Sequence, residues 1–242
     1  MLVYCFRGGM RSGGMAQLLS QAPLDVHTLS GGYKRFRRWA IEGWEHERPI
    51  VIVGGPTGSG KTDVLLALRD ELDEQVLDLE GDANHRGSIF GGLGRPSQPT
   101  NEMYENTLAL QWAKFAPSRP VFIEDESHAV GKCGVPPGLW ARMRSEDSPV
   151  LRLSVPHDAR VAKLVSEYGV YPPSELADCV RGLTKRLGHE RAAELVNLLE
   201  HEPPRLVEVA DRLLSDCTST GSPPAPLVML EPASVAAQGP CC

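Results

Sequence analysis

Eight consecutive residues constrain this chain more than any others. Gly55-Pro56-Thr57-Gly58-Ser59-Gly60-Lys61-Thr62 lies between the apolar run Ile50-Val51-Ile52-Val53 and a segment in which Val64, Leu65, Leu68 and Leu72 recur at helical spacing. A buried strand, a glycine-rich turn and a helix opening on Lys-Thr form a phosphate-binding loop. The glycines let successive backbone N–H groups curl around an anion, and the helix start adds donors that have no partner within the helix. Gly55, Thr57, Gly58, Ser59, Gly60, Lys61 and Thr62 are the expected phosphate-binding residues, with Lys61 reaching the terminal phosphates and Thr62 offering its hydroxyl to Mg²⁺. A plain glycine-rich turn before a helix leaves Lys61 without a purpose.

The flanking sequence supplies a domain to carry this loop. Apolar strands are expected near 75–79, 120–124 and 149–154, and helices over about 62–73, 102–115 and 156–168. Strands that are nearly continuous apolar runs, alternating with helices, predict an α/β fold with a mostly parallel sheet covered on both faces. The strand at 120–124 runs into Glu124-Asp125-Glu126-Ser127, at the sheet edge where the phosphate loop opens. By position Asp125 or Glu124 is the acid expected to hold the metal with Thr62, and Asp125 is taken first; a solvated acidic loop is the plain alternative. Between these elements, Asn84-His85-Arg86 sits in a polar, glycine-rich segment over 81–101 and marks a place for substrate handling. Arg86, with its planar fork of donors, is the better anion ligand of the three.

Residues 173–214 carry apolar positions spaced for three short amphipathic helices, a helical appendage. From 215 the chain turns to Ser, Thr and Pro and is expected to be a disordered tail. The N-terminal end is basic: Arg7, Arg11, Lys34, Arg35, Arg37 and Arg38 face Asp25 alone, so the first forty residues carry +5 while the whole chain carries −6. A polyanion is expected to dock there. Cys5 ends the short apolar run Leu2-Val3-Tyr4 and is followed by Phe6-Arg7-Gly8-Gly9-Met10-Arg11-Ser12, a turn leading into a helix. Loop amides, a helix start and two guanidinium groups all favour a thiolate, with a plain structural cysteine as the alternative. None of the six cysteines forms a Cys-x-x-Cys pair. No apolar run is long enough for a signal peptide or a membrane span, and a cytoplasmic protein with no membrane partner is expected.

Taken in order, the Cys5–Ser12 segment, Ser30-Gly31-Gly32-Tyr33-Lys34, the phosphate loop, Leu79-Glu80-Gly81-Asp82-Ala83-Asn84-His85-Arg86-Gly87-Ser88 and Ile123-Glu124-Asp125-Glu126-Ser127 resemble the bacterial tRNA 2-selenouridine synthases over roughly residues 1–200. The resemblance implies the C-terminal part of a rhodanese-like α/β domain over 1–47, a P-loop domain over 48–170, the appendage over 171–214 and the tail over 215–242. It implies that the sulfur of wobble 2-thiouridine in tRNA is replaced by selenium. Selenophosphate and geranyl diphosphate are the implied co-substrates, the reaction passes through an S-geranyl intermediate, and a selenophosphate-producing enzyme is a partner. Cys5 matches the family's rhodanese-loop cysteine, with Arg7 and Arg11 in its anion cradle; Lys34 and Arg35 join Asn84, His85 and Arg86 as substrate-binding residues. With only four residues ahead of Cys5 and an atypical end, the chain reads as truncated at both ends. An ordinary Cys5 pKa of roughly 8.5 and an inactive fragment are therefore expected. A small-molecule kinase or NTPase sharing only the loop, and a binding remnant without turnover, are the competing readings.

Overall fold

The computed structural model describes residues 1–45, 48–217 and 227–228. In chain order the elements are β1 (Leu2–Val3), α1 (Met10–Leu19), β2 (His27–Thr28), α2 (Gly32–Glu42), β3 (Ile50–Gly54), α3 (Lys61–Asp70), β4 (Gln75–Leu77), α4 (Leu79–Asp82), α5 (Asn101–Lys114) and β5 (Val121–Glu124). They continue with β6 (Ala129–Val130), β7 (Cys133–Gly134), α6 (Pro137–Met143), β8 (Val150–Arg152), α7 (His157–Tyr168), α8 (Pro173–Gly182), α9 (Thr184–Leu187), α10 (His189–Glu200), α11 (Leu206–Cys217) and β9 (Leu227–Val228). Two compact units interleave along the chain. One comprises 1–49, 79–119 and 126–142, and the other 50–78, 120–125 and 143–242.

The second unit is an α/β domain built on a parallel sheet in the order β4-β5-β3-β8-β9. Its central strand β3 is apolar at successive positions because both of its faces are covered: Ile52 and Val53 are buried, and Val53 packs with Leu65 of α3 and Val76 of β4. Pairing of Val53 with Glu124 in β5 brings the ends of β3 and β5 level. Chain order reverses on either side of β3, and the carboxyl ends of strands at such a reversal are where open α/β sheets form their ligand crevice. Beyond the sheet, α11 packs on α7 through Val161, Ala210 and Leu214, and α8 packs on α10. The appendage contains one helix more than the spacing predicts, the single turn α9. Against the expectation of a tail from 215, α11 continues to Cys217, and Leu227–Val228 pairs in parallel with Val150–Leu151. The open edge of β8 offers backbone partners to the apolar pair Leu227–Val228, which the surrounding prolines obscure in the sequence. The rest of the expected tail lies outside the described residues.

In the first unit, α2 packs against α5. Thr100 caps α5, its hydroxyl accepting from the Met103 amide at 3.2 Å. Arg37 of α2 donates to Glu105 and to Asn106 of α5, and Tyr33 donates to Glu102. Below them Trp44 and Trp112 stack at 5.3 Å, with the guanidinium groups of Arg48 and Arg142 within 6 Å of the Trp112 ring centre. The polar stretch around 81–101 is pinned through Gln98: its amide donates to Ala83 O and Val130 O and accepts from Lys132 N, joining it to the β6–β7 hairpin. Among the described residues no helix is long and apolar enough to cross a membrane.

Candidate functional site: a phosphate loop and a cysteine loop

At the end of β3 the chain turns through Gly55, Gly58 and Gly60, with φ of +154°, +77° and +79°, and enters α3 with no side chain capping it. A helix start without a side-chain cap is the kind of N-terminus that accepts an external anion. Gly58 is required here on two counts: its left-handed backbone, and the 3.1 Å that would separate an added Cβ from Arg160 O. Ser59 is buried, and its Oγ has no hydrogen-bond partner. An orphaned buried hydroxyl costs free energy until something bonds to it.

Lys61 and Thr62 open α3 and both turn to Glu124 at the end of β5. The Lys61 ammonium lies 3.4 Å from Glu124 Oε1, and the Thr62 hydroxyl donates to Glu124 Oε2 at 3.1 Å. Glu124 is 3% exposed, a carboxylate whose burial is offset by these two partners. A hydroxyl beside a buried carboxylate is a hard-oxygen pair suited to Mg²⁺. Asp125, taken first from the sequence, faces elsewhere: its carboxylate accepts from Arg144 at 2.7 Å. Alternation along the strand sends adjacent residues to opposite faces, which separates Glu124 from Asp125.

Asn84, His85 and Arg86 lie together in the first unit, each half-buried. Asn84 donates to Ser97 O at 3.2 Å and Arg86 to Leu93 O at 3.1 Å, so both brace the loop that carries them. His85 lies against Gly91, burial lowers its pKa, and its Nδ1 has no partner. Burial thus favours its neutral form.

The cysteine loop is set by close backbone packing. Tyr33 N donates to Cys5 O at 3.0 Å and Lys34 N to Phe6 O at 2.9 Å, tying the loop to the start of α2. Gly32, at φ +63°, approaches so closely that an added Cβ would lie 2.2 Å from Cys5 O and 2.3 Å from Gly8 N. Cys5 is half-buried, and its pKa falls from 9.0 to about 6. The Ser12 hydroxyl, 3.3 Å from Sγ, is the main cause, followed by the amides of Ser12 and Gly9; Arg7 contributes through its amide. The expected ordinary thiol is therefore corrected, because every group acting on the sulfur comes from residues 7–12. The expected guanidinium effect is corrected too: the Arg7 and Arg11 side chains are exposed, where water screens them. Of the basic cluster, Lys34, Arg35 and Arg38 are exposed, whereas Arg37 is spent on α5.

Sequence reasoning passed over two residues. Ser12 reads as an ordinary polar helix residue, yet it is 3% exposed. Arg160 interrupts the apolar stripe of α7 beside Val161 and Leu164, and a charge on a buried face was its signal. It is 7% exposed and donates to Thr57 O of the phosphate loop at 3.3 Å.

A family model described as "tRNA 2-selenouridine synthase AAA domain" matches residues 48–206. Proteins named tRNA 2-selenouridine synthase are similar over two thirds or more of the chain. The one from Shewanella piezotolerans is 41% identical over 171 residues, covering 69% of this chain and 45% of its own length. Those from Nitrosomonas eutropha and Marinobacter nauticus are 36% and 35% identical, covering 82% and 81% of this chain and 51% and 58% of their own. The chain spans about half the length of the curated relatives it matches. The phosphate loop and Glu124 both fall inside the matched domain, and the chain belongs to the bacterial tRNA 2-selenouridine synthase family.

Proposed function

We propose that this chain serves the exchange of sulfur for selenium at the wobble 2-thiouridine of tRNA, with the loop over 55–62 holding the diphosphate of a geranyl donor and Cys5 acting as the thiolate of the selenium step. In the first half-reaction the thiocarbonyl sulfur attacks C1 of geranyl diphosphate and diphosphate leaves. In the second, the selenium of selenophosphate attacks C2 of the geranylated base and geranylthiol leaves; water then takes the phosphoryl group from selenium as phosphate, leaving 2-selenouridine. Diphosphate departure builds negative charge where Lys61, the α3 amides and the Ser59 hydroxyl converge, so these groups stabilise the leaving group as it forms. Thr62 and Glu124 would hold Mg²⁺, which supplies further charge neutralisation to the diphosphate. The exposed Lys34, Arg35 and Arg38, with Arg7 and Arg11, offer cations to tRNA phosphates.

One observation carries this reading: the same chain has a phosphate loop with an orphaned buried hydroxyl and a cysteine whose pKa is drawn down to about 6. A small-molecule kinase or NTPase needs the first and has no use for the second. Incubating the purified chain with 2-thiouridine tRNA and geranyl diphosphate, then adding selenophosphate, and analysing digested nucleosides by mass spectrometry tests both steps. Formation of 2-geranylthiouridine and then 2-selenouridine is expected in the wild type, and loss of the second product in Cys5→Ser. Nucleotide hydrolysis with no nucleoside change would favour the kinase or NTPase reading.

A further inference from the structure

Arg160 is a buried cation with no carboxylate directly on it among the described residues. Its Nη1 donates to Thr57 O in the phosphate loop at 3.3 Å. Its Nη2 lies 3.1 Å from His157 Nδ1, and its Nε is buried without a partner. A guanidinium only donates, so Nδ1 must accept and the proton of the imidazole sits on Nε2. That nitrogen lies 2.6 Å from Asp211 Oδ1 on α11. A continuous hydrogen-bonded chain thus runs from Asp211 through His157 and Arg160 to the loop carbonyl. The helix that carries Arg160 also touches the loop directly: Leu164 lies beside Gly58, and Lys163, one turn on, pairs with Asp63 in the first turn of α3.

Burying a cation this far without a paired acid is costly, and the cost is repaid only if its geometry serves something. Thr57 lies at the bend of the loop, between two positive-φ glycines. We infer that Arg160 is a positioning residue that holds the phosphate loop in its anion-ready shape, and that Asp211, acting through His157, makes the loop's affinity for diphosphate depend on α11. The inference rests on the reading of residues 55–62 as a phosphate site. It places a control of that site in the C-terminal helices, outside the loop itself. Preorganised donors bind an anion more tightly than donors that must first be ordered, so loosening this chain weakens binding without removing any ligand group.

The test uses the full chain, inorganic pyrophosphate as the probe, and amide exchange over residues 55–60 as a second readout. Arg160→Gln is expected to weaken pyrophosphate binding about tenfold and Asp211→Ala roughly three- to fivefold, the scale of one or two hydrogen bonds. Both are expected to speed exchange of the loop amides. Asp211→Asn keeps an oxygen that accepts from Nε2 and is expected to restore wild-type values, a rescue that a general effect of lost charge would not give. In the double variant Arg160→Gln/Asp211→Ala, the second change adds nothing, because both act through one chain. Wild-type exchange and affinity in Asp211→Ala, or additive effects in the double variant, overturn the inference. If Arg160→Gln does not fold, the Asp211→Ala and Asp211→Asn pair decides alone, Asp211 being half-exposed. If the wild type binds no pyrophosphate, the phosphate reading falls, while the exchange data still decide whether Arg160 positions the loop.

Discussion

Cys5 shows how few atoms set a reactive thiol. With its pKa at about 6, the thiolate predominates at neutral pH, and the alkylation rate is expected to rise through a midpoint near 6. Ser12→Ala removes the largest contribution, so the midpoint moves up toward 9.0, and iodoacetamide labelling between pH 5 and 9 reads it. The sign is fixed by the chemistry: a hydrogen-bond donor stabilises the thiolate, and removing it favours the thiol. A second residue-scale test separates the two acids. Glu124→Gln should strongly reduce the effect of Mg²⁺ on pyrophosphate binding, because Thr62 then faces an amide. Asp125→Asn should leave that effect in place, since its partner is Arg144. Equal Mg²⁺ dependence in both variants, measured by calorimetry, would remove Glu124 from the metal site.

Between elements, α2 divides its basic residues by facing. Lys34, Arg35 and Arg38 project to water, and Arg37 lies between α2 and α5 on Glu105 and Asn106. Neutralising the three exposed residues is expected to flatten the dependence of log affinity on log salt for tRNA by up to about three counterions. Arg37→Met, by contrast, should leave that slope unchanged and cost stability on the order of 1–3 kcal/mol, read by urea unfolding, because Glu105 loses a partially buried partner. A shallower slope in Arg37→Met with unchanged stability would reverse this assignment. Charge counting treated the four cations as one basic cluster; the packing of α5 separated Arg37 from the rest.

For the molecule as a whole, the strand-turn-helix of the phosphate loop, the parallel α/β sheet and most element positions were legible in the sequence. Glycine, β-branched runs and 3.6-residue spacing report local backbone preference, and the expected strands at 120–124 and 149–154 lie within two residues of β5 and β8. Ligand linkage extends this to the full chain: pyrophosphate at a hundred times its dissociation constant should stabilise the native state by about 2.7 kcal/mol, seen as a raised melting temperature, and Lys61→Ala should lose most of that shift. What spacing could not report was which distant residues meet. Glu124 rather than Asp125 beside Thr62, the Ser12 hydroxyl on Cys5, Arg37 against α5, and Arg160 on Thr57 all join residues whose pairing depends on how finished elements pack. The sequence determined a phosphate loop on a parallel sheet and a cysteine in a glycine turn, because short-range sterics and hydrophobic periodicity act within a few residues. The tertiary structure alone decided the partners of each charge, because burial and the reach of a hydrogen bond are properties of the folded interior.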